Sequence, residues 1–321
     1  MLYLNLCSRL TVTSKDGGEV VLDRISSAEI SKTVEVLGDK ATVVVPRRYG
    51  NGTDELKFYI AAGDRVTLEL GYNGELNMEF EGYIREIESG FPMKLHLDDE
   101  TFLLRTNSLV KSWKSATLKE ILQFIAPGYE IDCYDVTLGK FQIDNKSSLS
   151  VLRMLKEHYG FYSVIRGGVL ICKFKYGIVE DKQVHVYDFS KNVKKSSLKY
   201  RRREDRNIRI KAVSYNKDGK KVTEEVGSKE QDAGTRTLSY SNKTASELRE
   251  LALAEYKRLC FDGFEGSVTG YGLPLTNAGD TLKIISPREP ERNGKYLIEG
   301  VTVRYGNAYY ERINQLSYRI E

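Results

Sequence analysis

The residues of this 321-residue chain with which chemistry could be done are three histidines, four cysteines, one acidic triplet and one glycine-rich run. His96, His158 and His185 stand far apart, and none sits in the HxxxH or HxH frame that brings two imidazoles to one metal. His158 falls near the end of a helical stretch, where a cation complements the carbonyl end of the helix, so its expected role is structural. Cys7, Cys133, Cys172 and Cys260 are scattered singly with no CxxC pair. That pattern argues for reduced thiols in a cytosolic chain rather than a zinc site or a disulfide framework. Asp98, Asp99 and Glu100, in "LDDE", offer carboxylates for acid–base or hydrolytic work. They follow a strand and precede "TFLLR", which reads as a solvated turn. "GSVTGYG", Gly266 to Gly272, lacks the Lys-Ser/Thr of a phosphate loop and opens no helix. We expect no enzyme, no metal and no cofactor.

Charge narrows the partners. The net charge is +4, from 49 basic against 45 acidic residues, which argues against a chain whose main work is coating nucleic acid. The densest basic run is "KYRRREDRNIRIK", Lys199 to Lys211, where Glu204 and Asp205 interrupt Arg201, Arg202 and Arg203. A reader of nucleic acid would mix such residues with exposed aromatics, and only Tyr200 is near. A solvated hairpin with cross-strand ion pairs is the first reading of Arg201, Arg202 and Arg203; a basic surface along a DNA-carrying bore is the second. The N-terminal run "MLYLNLCSRL" alternates, and no stretch approaches the roughly 18 apolar residues of a membrane span, so neither a signal peptide nor a membrane anchor is expected.

The elements that must position these residues are mostly strands. "SAEISKTVEVLGDKATVVVP" gives two alternating runs joined at Gly38-Asp39, and Gly50, Asn51 and Gly52 mark a loop. Val66, Leu68 and Leu70 alternate with Arg65, Thr67 and Glu69, and Asn73-Gly74 supplies a left-handed turn. Near Ser108 the texture changes. Thr117 and Glu120 make a capping box for a helix carrying Leu118, Ile121, Leu122 and Ile125, stopped by Pro127-Gly128. A second helix runs from a Ser147 or Ser148 cap to Gly160, and "FYSVIRGGVLICKF" turns at Gly167-Gly168. The chain then returns to β, with a long hairpin turned at Asp218-Gly219 and a third helix boxed by Thr244 and Glu247.

One pattern occurs twice. "AGDRVTLELGYNGELNMEFEGYIREI" from Ala62 is answered by "AGDTLKIISPREPERNGKYLIEGVTVRY" from Ala278. Gly63-Asp64 and Gly279-Asp280 open the two hairpins, and Glu81-Gly82 and Glu299-Gly300 mark the return strands. Ala62 to Glu81 is 19 positions and Ala278 to Glu299 is 21, the excess falling in the turn. A Gly-Asp pair starts many strands, because Gly allows a sharp turn and Asp accepts local N–H groups. Two copies with matched return strands on either side of an α/β segment argue instead for a duplicated domain, and so for two similar barrels. Gly63, Asp64, Gly82, Gly279, Asp280 and Gly300 are the candidate structural residues. The expected fold is mainly β with an α/β insert (α+β): a first β-barrel over 1–106, an α/β domain over 107–186, and a second β-barrel over 187–321 with one helix at 243–259.

The order "DKATVVVPRRY", "AGDRVTLELGY…FEGYIREIE", "LHLDD", "SATLKEILQFI", "SSLSVLRMLKEHYGFYSVIRGGVLIC" and "GSVTGYGLPLTNAGDTLKI…ERNGKYLIEGVTVRYG" resembles the baseplate hub proteins of contractile-tailed phages, of the late-control D type. It is also similar in plan to the N-terminal half of the valine-glycine-repeat spike proteins of type VI secretion. The resemblance covers residues 3–321 and lies in the order of the motifs. It implies two tail-tube-like barrels per chain and a homotrimer that imitates six-fold symmetry, joining a tail tube above to a spike below. It further implies a location in the virion tail baseplate after assembly in the bacterial cytoplasm. The implied partners are further copies of the chain, the tail tube protein, a separate spike polypeptide and other baseplate proteins, with DNA only in transit. The rival reading from the residues alone is a β-rich binding module for polysaccharide or nucleic acid.

Overall fold

The computed structural model describes residues 5–49, 54–174, 183–215, 221–241, 243–260 and 262–320. The loop expected at Gly50, Asn51 and Gly52 and the turn expected at Asp218-Gly219 lie outside them. Thirteen strands make the main sheet. Seven precede the insert: β1 (Leu6–Thr13), β2 (Glu19–Leu22), β3 (Ser27–Thr33), β4 (Lys40–Val45), β5 (Arg65–Tyr72), β6 (Glu75–Glu88) and β7 (Met93–Asp98). Six follow it: β8 (Val184–Asp188), β9 (Val193–Arg201), β10 (Gly263–Tyr271), β11 (Thr281–Ile285), β12 (Gly294–Gly306) and β13 (Tyr309–Arg319). The order is β9-β10-β13-β12-β3-β4-β7-β6-β5-β1-β2, with β11 beside β12 and β8 beside β11.

That order contains the same five-strand unit twice: β3-β4-β7-β6-β5 and β9-β10-β13-β12-β11, each antiparallel throughout. The correspondence holds residue by residue. In the first unit Ile84, Leu97, Ala41 and Ile30 stand in one row across four strands. In the second, Ile298, Leu316, Gly266 and Leu198 do. Both units break register at the same place, between Ile84 and Glu86 and between Ile298 and Gly300. A β-bulge inserts one residue and sharpens the local twist, so a shared bulge is a shared bend.

Local chemistry explains the strands. Val66, Leu68 and Leu70 are fully buried while Arg65 faces solvent, the period-2 outcome of a strand with one wet face. Asn73 and Gly74 take φ of 55° and 88° and turn β5 into β6 with Tyr72 opposite Glu75. A single apolar core runs beneath both units, from Leu10, Ile30, Leu68 and Ile84 to Leu282, Ile298 and Val303.

The two closed barrels expected from the sequence take a different form. Among the described residues the sheet is one open path, because the outer edge of β3 pairs with β12 instead of closing its own unit. Ser27 to Thr33 lie opposite Gly306 to Gly300, so the units share a continuous hydrogen-bond ladder. The strand β8, at the end of the expected insert, pairs in parallel with β11 and so belongs to the main sheet.

The insert has its own core. Helix α1 (Leu118–Ile125) carries the Thr117/Glu120 capping box and buries Leu118, Ile121, Leu122 and Ile125. Helix α2 (Ser148–Tyr159) starts at a Ser147 cap and ends at Gly160, whose φ of 75° is left-handed. Both pack on strands at 109–117, 130–133, 137–146, 161–166 and 169–174. A smaller layer leaves the main sheet between β9 and β10: strands at 208–215, 221–227 and 234–241 under helix α3 (Ala245–Leu259), which carries the Thr244/Glu247 box. The basic run from Lys199 to Lys211 is therefore not one hairpin. It divides between β9 and this second sheet.

Gly82 tests how tightly β6 and β7 approach. A Cβ there would sit 2.2 Å from the Asp98 carbonyl oxygen, and backbone cannot move aside as a flexible side chain can. Gly82→Ala is expected to cost roughly 1–3 kcal/mol, as overpacking does. The check is a lower urea midpoint with an unchanged slope; a loss below about 0.5 kcal/mol would show the approach to be slack.

Candidate functional site: the paired turns and the charged joint

Each unit is fastened at the turn that opens its β5 or β11 strand. Gly63 N–H donates to the Ile84 carbonyl (2.7 Å), and Ile84 N–H returns a bond to the Asp64 carbonyl (2.9 Å). Gly279 and Ile298 repeat the first bond at 2.7 Å, and Ile298 and Asp280 repeat the second at 2.9 Å. The Asp64 carboxylate accepts from Ala61 N–H (2.7 Å), and the Asp280 carboxylate accepts from Asn277 N–H (2.8 Å). Gly63 and Gly279 have φ of 91° and 99°, which a side chain would strain. Gly and Asp therefore do in both places what turn chemistry asks of them. Gly82 and Gly300 do not match. Equivalence of Ile84 with Ile298 puts Gly82 level with Tyr296, and Gly300 lies four residues further on, opposite Thr33 in the joint. The two Glu-Gly pairs are alike in letters and out of step in space, because the β11–β12 loop is shorter between equivalent points.

The joint also encloses a charge cluster. In β6 the register slips so that Phe80 faces Leu68 and Met78 faces Glu69; Glu79 bulges between them and is buried. Its carboxylate receives the Arg312 guanidinium and the Tyr310 hydroxyl, both from β13. Arg312, 0% exposed, also donates to the carbonyls of Gly272 (Nε, 2.9 Å) and Thr276 (Nη1, 3.0 Å). Burial first, and the adjacent Glu79 charge next, push the Tyr310 hydroxyl well above the ordinary tyrosine range. Tyr72 adds a second tie, accepting from Gly272 N–H (3.1 Å) and donating to the Tyr310 carbonyl (3.2 Å).

Beside the joint lies a polar cavity of about 490 Å3, lined among others by Lys32, Asp39, Asp99, Arg166 and Asp280. It is where the two units meet the insert. Lys32 Nζ donates to Asn277 Oδ1 (3.1 Å), Arg166 donates to the Ala278 carbonyl (3.0 Å), and His185 Nε2 lies 3.0 Å from Asp280 Oδ2. Burial lowers the Lys32 ammonium, against the pull of Glu79 and Asp39. Burial, then the Asp99 charge, raises the Asp39 carboxyl to about 6.

The other sequence candidates are dispersed. Arg201, Arg202 and Arg203 are exposed at the end of β9; Arg201 pairs with Glu265 (2.6 Å), and Arg203 N–H donates to Asp262 (2.8 Å). Asp98 corrects the solvated-turn reading: it is 1% exposed and ion-paired with Arg105 (2.6 Å), while Asp99 caps the 3-10 turn at Glu100–Leu104. Two glycines of "GSVTGYG" make room for rings, since a Cβ on Gly272 would lie 2.1 Å from Tyr310 and one on Gly270 2.7 Å from Tyr187, while Gly266 makes room for the Ser197 backbone. No group of three metal-ligating side chains occurs among the described residues, and no helix there is long and apolar enough to cross a membrane. Sequence reasoning missed Glu79, Arg312 and Tyr310. The signal for β13 was present: Tyr310, Arg312 and Asn314 share the inward parity of Leu316 in "YYERINQL".

Two outcomes follow for this site. Arg312→Met strands the buried Glu79 carboxylate and is expected to cost about 3–5 kcal/mol in urea unfolding. Glu79→Met added to it should recover most of that loss, and a single-variant cost below about 1 kcal/mol would dismiss the pair as a fastener. Asp39 gives a pH signature. Its folded value of about 6 lies above its ordinary 3.8, so the unfolded chain ionises first and stability falls as pH rises through this window. The loss is roughly 1–3 kcal/mol, and Asp39→Asn should flatten the unfolding free energy between those pH values.

No family model matches the chain, and no curated protein matches it. Solved structures do. The 43 kDa tail protein of prophage MuSo2 from Shewanella oneidensis matches with a TM-score of 0.64 at 16% identity, over 97% of this chain and 98% of that one. A tail protein from Neisseria meningitidis matches with 0.62 at 14% identity, over 97% and 96%. An E. coli component of the type VI secretion system matches with 0.56 at 8% identity, over 92% and 73%. The chain has the fold of these prophage tail and type VI secretion proteins along nearly its whole length.

Proposed function

We propose that this chain is a structural, non-enzymatic hub of a contractile tail baseplate or a related injection machine. Three copies form a ring of six similar units that joins a six-fold tail tube to a separate three-fold spike. The observation that carries the reading is the doubled five-strand unit, matched in strand order, fastening turn and bulge. A chain with two equivalent units needs three copies to present six, which reconciles a six-fold neighbour with a three-fold one. The fold shared with prophage tail proteins over 97% of the chain supports it. In this reading each unit serves as one tube-like wall segment, and the closed wall is completed by the ring rather than within one chain. Its place is the virion tail, in contact with tube, spike and other baseplate proteins.

Mass by light scattering at rising concentration, followed by negative-stain imaging, tests this. A trimer of about three times 36.5 kDa with a six-lobed ring is expected, alone or with tube and spike proteins added. A monomer under every one of these conditions, with salt-sensitive affinity for DNA or with affinity for a polysaccharide, would replace the hub by a binding module.

A further inference from the structure

The doubled unit specifies how one copy meets the next. Within the chain, β3 of the first unit pairs with the outer edge of β12 in the second, beyond the point where the Gly279 turn releases it. The equivalent edge in the first unit is β6 past Ile84. There the pairing with β5 has ended, at Tyr83 opposite Arg65, and no described strand takes its place. The equivalent of β3 is β9, which among the described residues pairs only with β10. One chain therefore carries one used joint and both halves of an unused one.

We propose that the unused halves join between copies, β9 of one chain pairing antiparallel with β6 of the next in the register of the β3–β12 joint. This rests on the ring reading and names its contact. The rows fix the register. Ile84 corresponds to Ile298 and Leu198 to Ile30, so the observed pairs Gly300–Thr33, Val301–Lys32 and Thr302–Ser31 become Glu86–Arg201, Ile87–Tyr200 and Glu88–Lys199 across copies.

The chemistry of those positions fits without adjustment. Both acids fall opposite bases, and the apolar residue between them falls opposite a tyrosine that is 53% exposed. Glu88 already stands opposite Lys94, and Lys199 opposite Glu265. The new pairing completes a row Lys94–Glu88–Lys199–Glu265 of alternating sign over four strands. Opposite charges in direct cross-strand positions attract and like charges repel. Phe91, 90% exposed just beyond β6, gains cover from the incoming strand. Two free sheet edges are also removed, which an isolated chain would otherwise leave as templates for wrong pairing. The contact is heterologous, and its repetition closes a ring when the rotation between copies is about one third of a turn.

The test uses the full chain. E86K/E88K and K199E/R201E are each expected to weaken self-association at least tenfold, measured by sedimentation equilibrium, and an equimolar mixture of the two should form chains of copies joined only between unlike partners. Circular dichroism checks that each variant stays folded. Independently, Ile87→Cys mixed with Tyr200→Cys should give a covalent dimer under mild oxidation, while neither variant alone does. If the wild type forms its ring, charge reversal leaves the ring intact and the cysteine mixture gives no cross-link, the joint is wrong and the hub reading stands. If the wild type stays monomeric with tube and spike present, both fall.

Discussion

The interaction on which the rest of the structure depends is the buried pair of Glu79 and Arg312, two residues 233 positions apart in sequence. Neither charge has water to retreat to, so each makes the other's position obligatory. Arg312 also holds the carbonyls of Gly272 and Thr276, and Glu79 also holds the Tyr310 hydroxyl. A pair of this kind adds little net stability over an apolar replacement, and its value lies in excluding other arrangements. Here the excluded arrangements are slipped registers between two units that resemble each other. Greasy faces of similar shape would pack in several ways; one charge pair at a bulge admits one.

Much of the architecture was readable from residues because it rests on local rules. The Thr117/Glu120 and Thr244/Glu247 boxes, the Gly160 stop and the Asn73-Gly74 turn are set by chemistry within four residues. The doubled unit was visible through its two Gly-Asp turns. What escaped depends on distant partners. Alternation assigns Glu79 to the solvent face, and only the bulge against β5 turns it inward. Asp98 reads as a turn residue until Arg105 is seen to cover it. The open sheet escaped for the same reason, since nothing near β3 says that its edge is kept for a strand about 270 residues away.

The two units are alike where they bond and unlike where they carry additions. The insert follows β7 in the first unit, whereas the small sheet under α3 interrupts the second between β9 and β10. The flanking strand is antiparallel in the first unit (β1 beside β5) and parallel in the second (β8 beside β11). In the proposed ring, six such units give an even frame and alternating decoration. That is the property an adaptor between unequal symmetries requires, because the frame satisfies one neighbour and the decoration distinguishes positions for the other.

The β3–β12 joint has a consequence in time. Strand β3 leaves the ribosome well before its partner, Gly300 to Gly306, which lies about 270 residues further along the chain. Until that partner emerges β3 offers an unpaired edge, and contacts of such long sequence separation are slow to form. On a polysome, where nascent copies crowd together, a completed β12 from one chain can pair with the waiting β3 of its neighbour as well as with its own. The buried pair of Glu79 and Arg312 does not guard against this exchange, because a swapped partner supplies the same arginine. Exchange of the joint between incomplete copies is therefore the assembly hazard that this topology carries.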